Sequence, residues 1–467
     1  MMEMPVGKSL GQTLDEIGFG VYHWKLLVIC GFGWLSDCMW IQAVASILPQ
    51  VQIEFQVPTA AASAIPSCLF SGMFVGATLF GFIADAYGRM YPFFSTMFLT
   101  SLCSCVSIFS PSLYALCITV FLVGVSVGGN MPVDSIYYLE FCPPRHQSSL
   151  TSLSVFFSLG SALTSLVAFV IFDHSVASET QLLLFQGIVA WRVVLFILSM
   201  VCLLLFVCRV ALLRRIESPK HLLVKGRQEE AFQVLSQLIS DNHSQLTLSL
   251  DDIILMDDEV PDANEGPSMF DCHYRVTSLL LFCIWICINF AYTAFNALLA
   301  KFMQLKGVSS QNTYISLLIY TCASIPAVFM AMALVDNSRF QRKGTLSLSS
   351  FLTGCSILLF CYMTDPSSIV ASASLANIFA TMMYAVLYTY TPEVFPTPIR
   401  ARANGVCGAL GRVAGIVAPI VAGASMSVSI DFPLWLSTAA LTLAAILSLL
   451  LPIETMSKPL AVIALGM

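Results

Sequence analysis

Twelve apolar stretches, each long enough to cross a bilayer, fall in two groups of six around one polar segment. A spanning helix needs about 20 predominantly apolar residues to cover a hydrocarbon core of about 30 Å. The stretches lie near 25–51, 65–86, 92–110, 113–138, 149–172 and 191–212, then 276–300, 313–334, 345–363, 367–390, 404–426 and 432–451. Gly and Pro interrupt several, which membrane helices tolerate because neighbouring helices re-satisfy the freed backbone groups. The expected fold is an all-α membrane protein, twelve transmembrane helices in two six-helix pseudo-repeats. Two such halves around a polar centre place a binding site near the midplane, where the halves meet.

Composition excludes the main rivals. The chain is 57% hydrophobic and 10% charged, whereas soluble domains carry about 25% charged residues. Twelve helices consume most of the 467 residues and leave no room for an appended catalytic domain. No nucleophile–base set, phosphate loop or metal-ligand spacing occurs, and all six His fall outside the apolar stretches. No enzyme activity, cofactor or metal is therefore expected. The absence of a basic stripe removes nucleic acid as a partner. The 16 Cys are scattered mostly inside the apolar stretches, without two-pair zinc spacing, and read as small hydrophobes.

Five segments follow: a tail 1–24, a bundle 25–212, a central loop 213–275, a second bundle 276–452 and a tail 453–467. Residues 1–24 are polar, so no cleavable signal peptide is expected and the first span acts as the targeting signal. Arg89, Arg145, Arg342, Lys343, Arg400 and Arg402 share one side of the membrane with the basic central loop, while only Lys301, Lys306 and Arg192 fall opposite. The positive-inside rule then makes both termini cytoplasmic. The protein is expected to be multi-pass, in the plasma membrane or an intracellular vesicle membrane, and to act as a monomer.

The central loop divides in two. RRIESPKHLLVKGRQEEAFQVLSQL reads as short amphipathic helices, with Glu217 capping a turn and Leu222, Leu223, Phe232, Val234 and Leu235 turned to the bundle. Residues 251–265 carry seven acids and no base, the pattern of a solvated linker. Asn242-His243-Ser244 matches a glycosylation acceptor, on the cytosolic side of this topology where it goes unused.

Motifs repeat between the halves. GFIADAYGRM follows the second span and VDNSRFQRKG the eighth, while YLEFCPPR ends the fourth and YTPEVFPTPIR the tenth. Gly81, Asp85, Gly88, Arg89, Glu140, Arg145, Asp336, Arg342, Glu393 and Arg400 form a candidate cytoplasmic gate, with Glu140 paired to Arg145 and Glu393 to Arg400. Exposed pairs contribute only about 0–1 kcal/mol each, so a gate needs a network. The alternative is that these charges orient the chain and snorkel at the interface.

With those motifs in order, the chain resembles a major facilitator superfamily transporter, of the sugar-porter and synaptic-vesicle-protein-related branch. The resemblance rests on GFGWLSDCMWIQAV, GFIADAYGRM, VGGNMPVDSIYYLEFCPP, IESPKHLLVKGRQEEA and TPEVFPTPIRARANG, and covers nearly the whole chain. It implies alternating access and, by analogy with sugar porters, proton coupling. The chain departs from the pattern in three places. Ala86 and Met90 stand where the loop motif usually has bases. Val120 stands where the fourth helix of sugar porters carries an Arg facing the helix-1 acid. The seventh span, WICINFAYTAFNALLA, lacks the paired Gln of hexose porters.

Asp37 lies about 18 Å along the first span, near midplane. A carboxylate there costs about 2.5–3.5 kcal/mol on insertion scales, so it must face a cavity or a partner. Its open roles are proton coupling, substrate contact and a structural bond, and with Val120 in place no neighbouring cation is evident. Asp134 and Asn130 share a face of the fourth span and either line the pathway or bond a neighbouring helix. Arg412 in the eleventh span either bonds carbonyls or binds an anionic group of a substrate. Trp40, Gln42, Asn289, Tyr292, Asn296, Tyr384 and Tyr388 complete the candidate cavity, as aromatic faces with a few amides suit a small organic ligand. Gly405, Gly408, Gly411 and Gly415, and GVSVGG in the fourth span, read as close helix packing. The leading function is proton-coupled secondary transport of a small organic solute. The alternative is a transporter-like receptor or vesicle component that binds ligand without moving it.

Overall fold

Backbone polar groups have no water to bond in lipid, so each crossing closes its hydrogen bonds within one helix. The computed structural model describes residues 8–176, 183–184, 188–213, 216–242, 244, 246, 253–254, 269–271, 274–335, 341–395 and 397–454. Asp336 of the candidate gate lies outside them. A short helix α1 (Leu10–Ile17) precedes the N-terminal half, which comprises α2 (Val21–Phe55), α3 (Thr59–Ala62) running into α4 (Ala64–Tyr87), α5 (Met90–Ser107), α6 (Leu113–Phe141), α7 (Ser154–Val176) and α8 (Ala190–Leu212). The central segment holds α9 (Pro219–Val224) and α10 (Gln228–Asp241). The C-terminal half comprises α11 (Arg275–Leu305), α12 (Ser310–Cys322) with α13 (Ser324–Val335), α14 (Gln341–Tyr362), α15 (Pro366–Val394), α16 (Thr397–Ser425) and α17 (Phe432–Leu449).

Among the described residues, eleven spans reach membrane length and hydropathy unaided. The twelfth crossing, α5, is 18 residues rich in Ser and Thr. Its hydroxyls bond back into the helix: Thr96 Oγ1 donates to Pro92 O and Thr100 Oγ1 to Thr96 O, each at 2.9 Å. That back-bonding satisfies polar groups in an apolar environment. Residues 144–153, which take in the first five residues of the expected fifth span at 149–172, instead wind as a 3-10 helix that begins at Pro144, directly after Pro143. The eighth crossing breaks at Ala323, between α12 and α13, three residues before Pro326.

Glycine sets the tightest seam. A Cβ on Gly72 would fall 2.1 Å from the Phe121 carbonyl oxygen, and one on Gly76 would fall 1.9 Å from that of Val125. Gly124 and Gly128 return the fit against Leu69 and Met73, so α4 and α6 touch backbone to backbone.

The N-terminal stretch contains more structure than its polarity suggests. Ser9 and Gln12 close a capping box on α1, a legible S-x-x-Q signal. Leu10, Leu14 and Ile17 pack with Leu222, Leu223, Leu235 and Leu238 of the central segment against Tyr137, Tyr138 and Phe141 of α6. Phe232 and Val234 pack more loosely on the same cluster. Within the acidic linker, Ile253 and Ile254 pair in parallel with Lys8 and Ser9. Asn242 is fully engaged, accepting from Tyr22 N at 3.0 Å and donating to Gly18 O at 3.3 Å.

The halves meet at the end far from the central segment and part at the near end. Residues 42–52 of α2 and 293–300 of α11 are buried. Phe172 and Tyr314 pack across the halves there, ring centroids 4.3 Å apart. A Cβ on Gly423 would strike Ser63. Toward the near end, Gly81 and Gly405 have nothing within 4 Å of a built Cβ, and Asp85, Arg402 and Asn404 are exposed.

Candidate functional site

Near midplane, α2 carries Asp37, which is 3% exposed. Asn130 Nδ2 on α6 donates to its Oδ1 at 3.1 Å. Asn130 therefore serves the acid rather than a pathway. One turn on, Asp134 is fully buried, and Arg209 Nη2 on α8 donates to its Oδ2 at 2.9 Å. Arg209 also donates to Phe93 O at 2.5 Å and Ile29 O at 3.3 Å and lies over the Phe93 ring. Asp134 is thus sealed inside the N-terminal half, which corrects its placement among cavity residues. Arg209 was legible as a lone cation in MVCLLLFVCRVALL, since an ionisable group in a span needs a named partner.

The environment of Asp37 corrects a second expectation. Val120 is indeed buried and apolar, yet cations reach the acid from elsewhere. Arg412 on α16 and Arg209 both lie within electrostatic range of Asp37. Arg412 is partly exposed and makes no hydrogen bond or ion pair among the described residues; Tyr388 and Asp37 are its electrostatic neighbours.

Aromatic rings bridge the two halves beside these charges. Trp34 stacks on Phe157 at 4.7 Å, Phe157 meets Tyr388 across the halves at 6.4 Å, and Tyr388 packs edge-on to Trp285 at 5.2 Å. Tyr384 continues the row to Tyr292. Amides lock these rings: Tyr384 Oη donates to Asn289 Oδ1 at 3.3 Å, and Asn289 Nδ2 to Trp285 O at 2.8 Å. Deeper, Tyr292 Oη donates to Asn377 Oδ1 at 3.2 Å and Tyr320 Oη to Asn296 Oδ1 at 3.1 Å. The structure engages one expected member elsewhere. Trp40 is fully buried and donates to Cys202 Sγ at 3.4 Å, while Gln42 is buried at the start of the stretch of α2 where the halves meet. Trp34, Phe157, Trp285, Tyr320 and Asn377 went unread, because single aromatics in apolar runs look like packing. A shallow groove of about 260 Å³ between α5 and α8, lined by residues such as Met90, Phe94 and Phe206, lies away from this chemistry.

At the near end the charges form one cluster per half. Arg89 Nε donates to Glu140 at 3.3 Å and its Nη1 to Asp85 at 2.6 Å. Burial works against the Arg89 charge, but Glu140 and Asp85 together hold its pKa above the ordinary value. Gly88, at φ +103°, turns the chain so that Glu217 accepts from Arg89 N at 2.8 Å and Met90 N at 3.2 Å. Glu217 thus caps the start of α5, and Ser218 caps α9. The second half repeats the design. Arg342 pairs with Glu393, and Glu454 accepts from Arg342 N at 3.1 Å and Lys343 N at 3.4 Å. The expected pairings are therefore corrected: Glu140 binds Arg89, not Arg145, and Glu393 binds Arg342, not Arg400. Arg145 reaches Asp15 at 3.7 Å, and Arg400 donates to Phe395 O at 3.3 Å. Helix ends packed side by side in one half lie closer than residues further along the same strand of chain.

The fold is shared with known transporters. A family model for sugar (and other) transporters matches residues 21–464, and the chain belongs to that family. The chain is 30% identical to an uncharacterised MFS-type transporter of Schizosaccharomyces pombe, over 97% of this chain and 88% of that one. It is also 30% identical to MFS siderochrome iron transporter 1 of Ceriporiopsis subvermispora, over 95% and 90%. A synaptic vesicle 2-related protein of Rattus norvegicus is 28% identical over 96% and 81%. Among solved structures, the partially occluded inward-open xylose transporter XylE from E. coli superposes with TM-score 0.73 at 16% identity, covering 93% of this chain and 100% of that one. The proton:xylose symporter XylE bound to 6-bromo-6-deoxy-D-glucose gives 0.71 at 16%, covering 95% and 99%. The fold is the twelve-helix major facilitator fold of a multi-pass membrane transporter.

Proposed function

We propose that this protein is a secondary carrier that moves a small organic solute together with protons by alternating access, its termini on the cytoplasmic side. The carrying observation is Asp37, a midplane acid held by Asn130 in one half and facing Arg412 of the other. A charge at that depth belongs to an ion or substrate path by default. Its position between the halves lets it exchange protons with whichever side the halves open to. The near-end clusters each stiffen one half, Arg89–Glu140–Glu217 and Arg342–Glu393–Glu454, so the halves rock as units. The carrier's membrane is the plasma membrane or that of an intracellular vesicle. The resemblance to a proton:xylose symporter agrees with coupling.

Reconstitution into liposomes tests the reading. An inward pH gradient should drive solute above equilibrium, and Asp37→Asn should abolish that accumulation while leaving exchange down a gradient. Gradient-driven accumulation that survives Asp37→Asn rejects the coupling role. Saturable binding without flux in either protein points instead to a ligand-binding membrane component.

A further inference from the structure

The carrier reading uses the charge of Arg412 but leaves its hydrogen-bond donors without an acceptor. Arg412 sits about halfway along α16, roughly 22 Å from the helix start, partly exposed and without a hydrogen-bonded acid among the described residues. Arg209, by contrast, is fully buried and paired with Asp134. An arginine so deep stays charged and presents five donors in a planar fork. Leaving those donors without an acceptor in a low-dielectric gap is costly. Gly411 lets α16 approach so closely that a Cβ there would lie 2.8 Å from Asn289 Nδ2 and 3.1 Å from Trp285. The open guanidinium is thereby set beside the row of rings, with Tyr388 as its aromatic neighbour.

We propose that the cavity selects a planar aromatic monocarboxylate, its carboxylate on Arg412 and its ring among Phe157, Trp285 and Tyr388. The inference rests on the carrier reading for its biological use but not for its chemistry. A carboxylate matches the guanidinium fork with two parallel hydrogen bonds. Aromatic rings around the site favour a flat apolar body in offset or edge-on contact. A neutral sugar supplies neither the anion nor the flat face. The groups facing Asp37 are Asn130 and Asp134 from α6, Arg209 and Cys202 from α8, Arg412 from α16, Tyr388 from α15 and its neighbour Cys38. Asp134 and Arg209 cancel each other as a pair. A bound carboxylate takes up the field of Arg412, which leaves a proton as the matching counter-charge for Asp37. Anion and proton then bind as a linked pair.

Binding to the purified full-length protein tests this without any transport step. Benzoate, benzyl alcohol, cyclohexanecarboxylate and D-xylose are titrated in turn, with melting temperature and tryptophan fluorescence as readouts. Benzoate should bind saturably and at least about tenfold tighter than benzyl alcohol, the scale of one charge-assisted contact. Cyclohexanecarboxylate should be weaker than benzoate. Arg412→Gln should lose benzoate by about the same tenfold factor, and Arg412→Lys should recover part of it. Arg412 makes no hydrogen bond or ion pair among the described residues, and Asn130 still holds Asp37, so the unliganded variants should stay folded and melt close to the parent. No saturable benzoate binding, D-xylose or benzyl alcohol binding as tightly, or undiminished binding to Arg412→Gln each overturns the proposal. If benzoate binds but is not carried into liposomes, the carrier reading fails and the ligand class stands. Carriage of D-xylose without benzoate binding gives the reverse.

Discussion

The buried charges behave differently according to whether each has a direct partner. Asp134 and Arg209 are both fully buried and joined at 2.9 Å. Removing one partner of such a pair costs about 3–5 kcal/mol, because the other charge remains in low dielectric. Arg209→Met should therefore lower the melting temperature of the purified protein sharply. The double variant Asp134→Leu with Arg209→Met should recover much of that loss, since replacing both charges is often near neutral. If the single variant melts with the parent, the ion pair is not what holds α6 to α8. What was readable was the need for a partner, set by desolvation.

Helix seams divide into fixed and mobile ones. The α4–α6 seam has no room for a methyl group at Gly76, where the nearest carbonyl would lie 1.9 Å away. Gly76→Ala should destabilise by about 1–3 kcal/mol, the usual cost of overpacking, read as reduced yield and melting temperature. The glycines of α16 are not one stripe, despite their regular spacing. Gly411 and Gly415 pack on Trp285, Asn289 and Phe70, whereas Gly405 and Gly408 face open space apart from Arg412. Gly405→Trp should fold normally here yet obstruct closure of the near end, so uptake falls while the melting temperature holds. Unchanged uptake would show that α16 does not close at that point. Sequence periodicity displays the small residues, but not which of them a neighbour presses against in a given state.

At the scale of the molecule, the halves are joined at one end and parted at the other. Phe172 and Tyr314 close the far end at 4.3 Å, while Gly81 and Gly405 stand free at the near end. The ion pairs at the near end lie within each half, Arg89 with Glu140 and Arg342 with Glu393. Spin labels at Ala86 and Arg402, both exposed, should move closer when the protein is trapped open at the far end. A constant distance would mean that the halves do not rock. Glu217→Gln together with Glu454→Gln should loosen α5 and α14 at their starts, detected as faster amide exchange over residues 89–93 and 342–346. Exchange there indistinguishable from the parent would remove both carboxylates from the design.

The chain's apolar lengths determined that it crosses the membrane, roughly where, and in two matching halves, because hydrocarbon thickness sets the length of each run. They also singled out Asp37, since the cost of a charge in lipid rises with depth. The repeated motifs GFIADAYGRM with VDNSRFQRKG and YLEFCPPR with YTPEVFPTPIR marked the ends of the helices where the charge clusters sit. Only tertiary structure decided the partners: Arg209 for Asp134, Arg89 for Glu140, and Arg412 rather than a helix-4 cation for the surroundings of Asp37. The cost of desolvating a charge is a property each residue brings with it, whereas pairing depends on how packed helices bring distant stretches of chain together.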